Sequence, residues 1–301
     1  MKIGIFPNLS KEHITEHVDE LCRHLSENGI EFYLIDSYRQ EAGERRLQFR
    51  YENWASFDEV VHDLDIAISL GGDGTIIGVA KLLVDHDIPI CGVNLGDLGF
   101  LNVIEPDELD RRLQMIKAGE YALTKRYLLA SYLVHQDGTT RALPLAMNEV
   151  VVGRSKPGRM ARLQLHINGV YTEEYPADGI IIATATGSTG YALSCNGPIM
   201  HPSMPNMLVT PICPHLLLSA PLLLEENDEV MIAMPERQKQ LHVSVDGNES
   251  FRFDQHTRLV IRKHEQPVPF LHFRDQNFFK LLFPKLTKSI YHVISQRTEP
   301  K

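Results

Sequence analysis

DIAISLGGDGTIIGVAKLL, residues 65–83, is where the fold of this chain is decided. The apolar run from Ile66 to Leu70 has the length of a buried parallel strand. The spacing of Ile76, Ile77, Val79, Ala80, Leu82 and Leu83 is helical. Between them stand Gly71, Gly72, Asp73, Gly74 and Thr75. A glycine-rich turn from strand to helix gathers bare N–H groups and the positive end of a helix dipole, which suits a phosphate. Glycine is needed there for close approach or for a positive φ. Asp73 is the odd member, because a carboxylate beside a phosphate cradle repels the ligand unless it holds a metal ion or accepts a proton from a hydroxyl. That combination points to phosphoryl transfer more than to simple nucleotide binding. The plain alternative is a strand–turn–helix connection with Asp73 as helix cap. No Gly-Lys pair occurs, which excludes a Walker A loop, and Gly72-x-Gly74-x-x-x-Gly78 is one residue too long for the Rossmann fingerprint.

Outward from this stretch, strands and helices alternate. Lys2–Phe6 reads as a strand. Ile14, Val18, Leu21, Cys22 and Leu25 form the apolar stripe of a helix from Lys11 to Asn28, stopped by Gly29. Glu31–Asp36 is a second strand. The polar segment 37–63, with Arg45, Arg46, Arg50 and the single tryptophan, Trp54, reads either as a solvated, partly helical excursion or as a lid. Downstream come a strand at Pro89–Asn94, the loop Leu95–Leu101, and a helix from Pro106 to Lys117 closed by Gly119. This order predicts a doubly wound parallel sheet, with both glycine loops at strand C-termini, where open α/β sheets bind ligands.

The pattern changes near Tyr121. Strand-like runs (Leu128–Val134, Val150–Val152, Leu163–Ile167, Ile180–Ala183, Glu229–Ala233, Leu241–Val245, Arg258–Arg262) alternate with turn signals, of which Asn168-Gly169 is a strong hairpin mark. The expected organisation is an α/β domain over 1–123, a mostly β domain over 124–275, and an arm over 276–301 docking back on the first domain.

At 301 residues the chain can hold two domains, and 43% hydrophobic with 23% charged residues is ordinary for a soluble protein. A formal charge of −9 argues against a nucleic-acid partner. Cys22, Cys91, Cys195 and Cys213 form no CxxC pair, which fits a reducing compartment. No signal-peptide core opens the chain, and the longest apolar run, Leu216 to Leu224, is too short to span a bilayer. A soluble cytoplasmic protein is expected.

In the second half, Ile180–Ala183 runs into Thr184-Ala185-Thr186-Gly187-Ser188-Thr189-Gly190-Tyr191, again a strand breaking into a Gly, Ser and Thr turn. Its hydroxyls and N–H groups suit phosphate or ribose, or simply cap a helix. Asn148-Glu149 opens the strand Val150–Val152 and alone reads as little more than a surface turn.

Gly71-Gly72-Asp73-Gly74-Thr75, Leu98-Gly99-Phe100, Asn148-Glu149, Asp178-Gly179, the Thr186–Tyr191 turn, Gly197–Ser203, Pro211–His215 and Ser244-Val245-Asp246-Gly247 occur in the order and spacing of the NAD kinases, so residues 66–250 resemble that family. Four positions depart from its usual pattern: Ala185 replaces a proline, Gly190 an alanine, and Leu95 and Ala220 each an arginine. The resemblance implies an α/β N-terminal domain, a β-sandwich-like C-terminal domain and a site in the cleft between them. It implies transfer of the γ-phosphoryl of ATP, or in some members polyphosphate, to the 2′-hydroxyl of the adenosine ribose of NAD. A divalent cation, Mg²⁺ by expectation, arrives with ATP, and homodimers or homotetramers are expected.

Carried over by position, Asp73 is the general base, with Gly74 beside it. Phe100 packs on a base, Asn148, Glu149 and Asp178 contact the ribose or nicotinamide side, and Thr189, Gly190, Tyr191 and Ser194 line the adenine pocket. Arg159, Arg162 and Asn248 are further NAD contacts, while Gly71, Gly72, Gly74, Thr75, Gly187 and Ser188 face phosphates. Rival readings are a lipid kinase sharing GGDGT, a phosphofructokinase-like sugar kinase, and a non-catalytic NAD(P) sensor. His13-Ile14-Thr15-Glu16-His17 matches an H-x-x-E-H zinc pattern, with both histidines expected on one helix face, but they flank the buried stripe and read as solvated.

Overall fold

The computed structural model describes residues 1–96, 99–154, 160–216 and 219–284. The chain divides into two compact units, Met1–Lys125 joined by the chain from Val268 onward, and Arg126–Pro267.

The first unit is built on strands β1 (Lys2–Pro7), β2 (Glu31–Ile35), β3 (Trp54–Ala55), β4 (Ile66–Gly71), β5 (Ile90–Asn94) and β6 (Ala122–Arg126). They lie in the order β3-β2-β1-β4-β5, then a return strand, Val268–His272, then β6. The pairs β2–β3, β1–β2, β1–β4, β4–β5 and β5–return strand are parallel. Helices α1 (Ile14–Glu27), α2 (Ser37–Glu44), α3 (Phe57–Val60), α4 (Asp73–Leu82) and α5 (Leu109–Lys117) connect them. Every residue of β4 is buried, as expected of a parallel strand covered on both faces. Ile66, Ile68 and Leu70 share a core with Val18, Leu21, Leu113 and Ile116 of α1 and α5.

Three expectations are corrected here. Segment 37–63 supplies helix α2 and the edge strand β3, and Tyr38, Leu47, Phe49, Tyr51 and Trp54 pack on the core rather than into solvent. The chain rejoins the first unit at Val268, ahead of residue 276, because Val268–His272 is a sheet strand; the helical stretch 278–284 follows, and 285–301 lie outside the described residues. His13 precedes α1 in a left-handed conformation (φ 55°), so it does not share a helix face with His17.

The second unit contains β7 (Leu129–His135), β8 (Thr140–Ala142), β9 (Glu149–Arg154), β10 (Ala161–Ile167), β11 (Val170–Ala177), β12 (Gly179–Ala183), β13 (Met207–Ile212), β14 (Leu222–Leu224), β15 (Val230–Ala233), β16 (Gln240–Val245), β17 (Glu249–Asp254) and β18 (Thr257–Lys263), with one short helix, α6 (Tyr191–Ser194). One sheet runs β11-β10-β15-β18-β7-β8 and the other β14-β13-β12-β9-β16-β17. Leu163, Leu165, Ile232, Leu259 and Ile261 of the first meet Val150, Val152, Ile180, Ile182, Val209 and Val243 of the second in one core. The β10–β11 hairpin turns on Asn168 and Gly169 at φ 51° and 76°, the two left-handed residues that a two-residue turn of this hand demands. β12 is buried on both faces, because its alternate residues Ile181 and Ala183 pack under Ala185, Ala192 and Met200. That packing lays the Thr184–Tyr191 turn against the end of the strand.

Candidate active site

In the first unit the sheet order reverses between β1 and β4, so the loops leaving those two strands flank the topological switch point, where open α/β sheets bind ligands. The loop after β4 is the glycine turn. Gly71, Gly72 and Gly74 all keep φ out of the positive range, so a left-handed turn is not the reason for glycine here, and close approach within the chain explains Gly71 alone. A Cβ on Gly71 would run into the Thr75 side chain, whereas nothing lies within 4 Å of the Cβ positions of Gly72 and Gly74. Helix α4 begins at Asp73 after Gly72, without a side-chain cap. The Thr75 and Ile76 N–H groups donate to the Gly72 carbonyl at 3.0 and 3.4 Å, and the Asp73 and Gly74 N–H groups stand ahead of them at the positive end of the helix dipole. The loop after β1 comes alongside: Asn8 Nδ2 donates to Thr75 Oγ1 at 3.0 Å. Half-buried Lys11 brings its ammonium within 2.7 Å of the Cβ position of Gly96.

Asp73 does not cap its own helix. Its Oδ2 accepts the Phe100 N–H at 2.6 Å, and its Oδ1 accepts the Leu101 N–H at 3.2 Å and Asn102 Nδ2 at 3.1 Å. A Cβ on Gly99 would fall on the carboxylate. A carboxylate offers about four lone-pair directions, so among the described residues one direction on Oδ2 stays open. Asn102 is 5% exposed, and the sequence reading missed it; the one hint was a polar side chain inside an apolar run. Asn8 and Lys11 were missed too, because only the sheet order brings their loop beside the glycine turn. Phe100 is half-buried next to its contact with Asp73, while Asp97 and Leu98 lie outside the described residues.

In the second unit the Asn148-Glu149 pair is held from two sides. The Asp246 carboxylate accepts the N–H groups of Met147, Asn148 and Glu149 at 3.0, 2.8 and 3.0 Å. Opposite, Thr184 Oγ1 donates to the Met147 carbonyl at 2.6 Å and the Thr184 N–H to the Asn148 carbonyl at 2.9 Å. Glu149 is 8% exposed and its Oε2 has no hydrogen-bond partner. Burial, with the Asp246 charge second, pushes its carboxyl up to about 7. Gly190 leaves room for that group: its Cβ position lies 3.2 Å from Glu149 Oε2.

The remaining expected contacts divide. Thr189 is half-buried, Gly190, Tyr191 and Ser194 are exposed, and together they form the open side of the turn. Gly187 and Ser188 are corrected as phosphate contacts. The Gly187 N–H donates to Thr184 Oγ1 at 3.0 Å and a Cβ there would strike the Asn148 carbonyl. Ser188 is fully buried, with its hydroxyl donating to the Ala185 carbonyl at 2.7 Å and accepting the Met200 N–H at 3.0 Å. Asp178 pairs with Arg154 at 2.9 Å. Arg162 pairs with Glu174 at 2.9 Å, and Arg237 meets the same oxygen at 2.7 Å. Asn248 is exposed in the β16–β17 turn beside Asp246. Arg159 lies outside the described residues.

Residues 3–121 match the family model for the ATP-NAD kinase N-terminal domain and residues 147–273 that for the ATP-NAD kinase C-terminal domain. An NAD kinase of Caldanaerobacter subterraneus subsp. tengcongensis is 36% identical over 288 residues, 95% of this chain and 99% of the relative. An NAD kinase of Geobacter metallireducens is 38% identical over 229 residues, 76% and 81% of the two chains. Among solved structures, an Archaeoglobus fulgidus NAD kinase in complex with ATP superposes with a TM-score of 0.72 at 26% identity, covering 95% of this chain and 99% of that one. Yeast NADH kinase complexed with NADH shares the fold, with a TM-score of 0.80 at 22% identity over 100% of this chain and 89% of that one.

Proposed function

The chain belongs to the ATP-NAD kinase family, and from that premise we propose how its residues share the work of the reaction. The activity is ATP-dependent phosphorylation of NAD: the 2′-hydroxyl of the adenosine ribose takes the γ-phosphoryl of ATP, giving NADP and ADP. The lipid-kinase and sugar-kinase readings fall with that assignment.

The observation that carries the assignment of roles is the carboxylate of Asp73, which accepts from three donors among the described residues, two on Oδ1 and one on Oδ2. A ribose hydroxyl is a poor nucleophile near neutral pH, and Asp73 accepts its proton as the oxygen closes on phosphorus. The γ-phosphoryl passes through a loose transition state, so alignment and charge neutralisation matter as much as the base. The uncapped start of α4 at Gly72–Thr75 receives the phosphates, and Lys11 supplies a cation where the family's usual arginine is Leu95. Asn148 and Glu149 hold the dinucleotide. With its carboxyl near 7, Glu149 can either donate to or accept from a ribose hydroxyl or the carboxamide. Thr189, Gly190, Tyr191 and Ser194 offer an adenine surface.

Among the described residues no three His, Cys, Asp or Glu side chains are grouped to hold a metal ion. The divalent cation, Mg²⁺ in this reading, is carried by the triphosphate and neutralises phosphate charge there. No helix among the described residues is long and apolar enough to cross a membrane, and we place the enzyme in the cytoplasm. A homodimer or homotetramer fits the exposed Val170 and Tyr171 on β11 and Leu223 on β14, both edge strands.

The test is direct. Purified protein with NAD, ATP and Mg²⁺ should accumulate NADP, and polyphosphate in place of ATP tests the second donor. NADP formation should survive Arg162→Ala better than Asn148→Ala. The reverse order would move the dinucleotide away from the Asn148 side.

A further inference from the structure

We propose that Asp246 is a positioning residue for dinucleotide binding, aiming the Asn148 and Glu149 side chains by gripping the backbone that carries them. The inference rests on the reading of those two residues as NAD contacts.

Three successive N–H groups, those of Met147, Asn148 and Glu149, converge on one carboxylate, and bonds of this charge-assisted kind are roughly twice as strong as neutral ones. Asp246 returns its own N–H to the Glu149 carbonyl at 3.0 Å. With Thr184 taking the carbonyls of Met147 and Asn148 from the far side, every backbone N–H and C=O of residues 147–149 is engaged. Only the side chains of Asn148 and Glu149 are left to face a ligand.

The turn itself does not call for a carboxylate. Asp246 and Gly247 adopt φ 48° and 71°, left-handed positions that asparagine and glycine fill equally well. An amide at 246 would turn an NH₂ toward at least one of the three donors and leave an N–H unpaired. The carboxylate also faces the buried Glu149 carboxyl, which sees Tyr191 of α6 on another side, so Asp246 meets both the backbone and the side chain of the segment it grips. A carboxylate that meets three successive N–H groups fixes where the Asn148 and Glu149 side chains stand.

The experiment is steady-state kinetics on Asp246→Asn, Asn148→Ala and the double variant, with both substrates varied and melting temperatures recorded. Asp246→Asn is expected to raise KM for NAD by about tenfold to a hundredfold, the scale of a misplaced binding group, while KM for ATP stays within about twofold. Because Asp246 acts through Asn148, the double variant should be no worse than the worse single one, rather than the product of the two. If Asn148→Ala raises KM for NAD and Asp246→Asn does not, or if the two effects multiply, the positioning role is wrong while the NAD contact stands. If Asn148→Ala leaves KM for NAD unmoved, the underlying contact is wrong and the inference falls with it. Should Asp246→Asn fail to fold, Asp246→Glu keeps the charge but shifts it by one methylene. A selective rise in KM for NAD then supports the role, and unchanged kinetics overturns it.

Discussion

Asp73 rests on three donors, and that changes what its replacement tests. Asparagine at 73 removes the proton acceptor and also turns an NH₂ toward the loop at Phe100–Asn102. Asp73→Asn should lower kcat by about 10²–10⁴-fold. Asn102→Ala, which removes one donor and leaves the carboxylate, should cost only about tenfold in kcat. Single-turnover measurements at saturating ATP separate the two, and a change confined to KM in Asp73→Asn would end the general-base role. Glu149 makes a second prediction. Its carboxyl moves from 4.5 to about 7 on folding, so between those values the folded chain keeps a proton that the unfolded chain has released. The stability this group contributes below pH 4.5 is therefore lost as pH rises through 7, by about 3 kcal/mol. Glu149→Gln should match the parent at pH 5 and exceed it in urea melts at pH 8; a parallel pH dependence in both would exclude Glu149 as the source. Asp73 was legible in sequence as the single charge in a glycine turn. Asn102 was not, and Asp246 was legible only as part of the Ser244–Gly247 motif, because their partners lie 29 and 97–99 residues away and only the fold brings them together.

Elements with a strong period were easy to read, and elements defined by what they touch were not. The apolar run of β4 and the stripe of α1 announce themselves within one window. β3 is two residues long, too short to show alternation, and its parallel partner β2 lies across the whole of α2. What holds it is aromatic: Phe49 meets Trp54 edge-on at 5.8 Å, Phe32 meets Tyr51 at 5.9 Å, and Phe6 meets Tyr38 at 6.5 Å. Such contacts contribute about 0.5–1.5 kcal/mol each beyond area burial. Segment 37–63 is thus part of the sheet edge, and Trp54→Ala should destabilise by about 2–4 kcal/mol with KM for either substrate within about twofold. A large KM change at an unchanged melting temperature would restore the lid reading. The glycine turn behaves differently, because its constraint is a clash. Gly71→Ala sets a methyl against Thr75 in the first turn of α4, and both stability and ATP binding should suffer, which melting curves and KM for ATP would record together.

At the scale of the whole molecule, the decisive fact is that the first unit is discontinuous. Its sheet takes the return strand Val268–His272 between β5 and β6, pairing Phe270 with Ile90. The sequence marked this segment as the end of the β-rich half because strand residues look alike whichever sheet they join. Just beyond it, Arg112 of α5, 3% exposed, grips the chain. Its guanidinium meets Asp275 at 2.8 Å and Glu108 at 3.0 Å, and stacks over the Phe273 ring at 4.5 Å. Phe273 is itself fully buried. Arg112 is buried while Asp275 stays 42% exposed, so the pair is partly screened by solvent, and the return is both a strand and an anchored end. The second unit has no such debt, since its two six-stranded sheets and their shared core all fall within 126–267. A fragment of residues 126–267 should therefore fold alone with a cooperative thermal transition, whereas residues 1–125 should not, lacking the strand between β5 and β6. Circular dichroism and calorimetry on the two fragments decide it. Cooperative unfolding of 1–125 would mean that the return strand is dispensable, and adding 268–301 through a short linker should restore folding only if it is not.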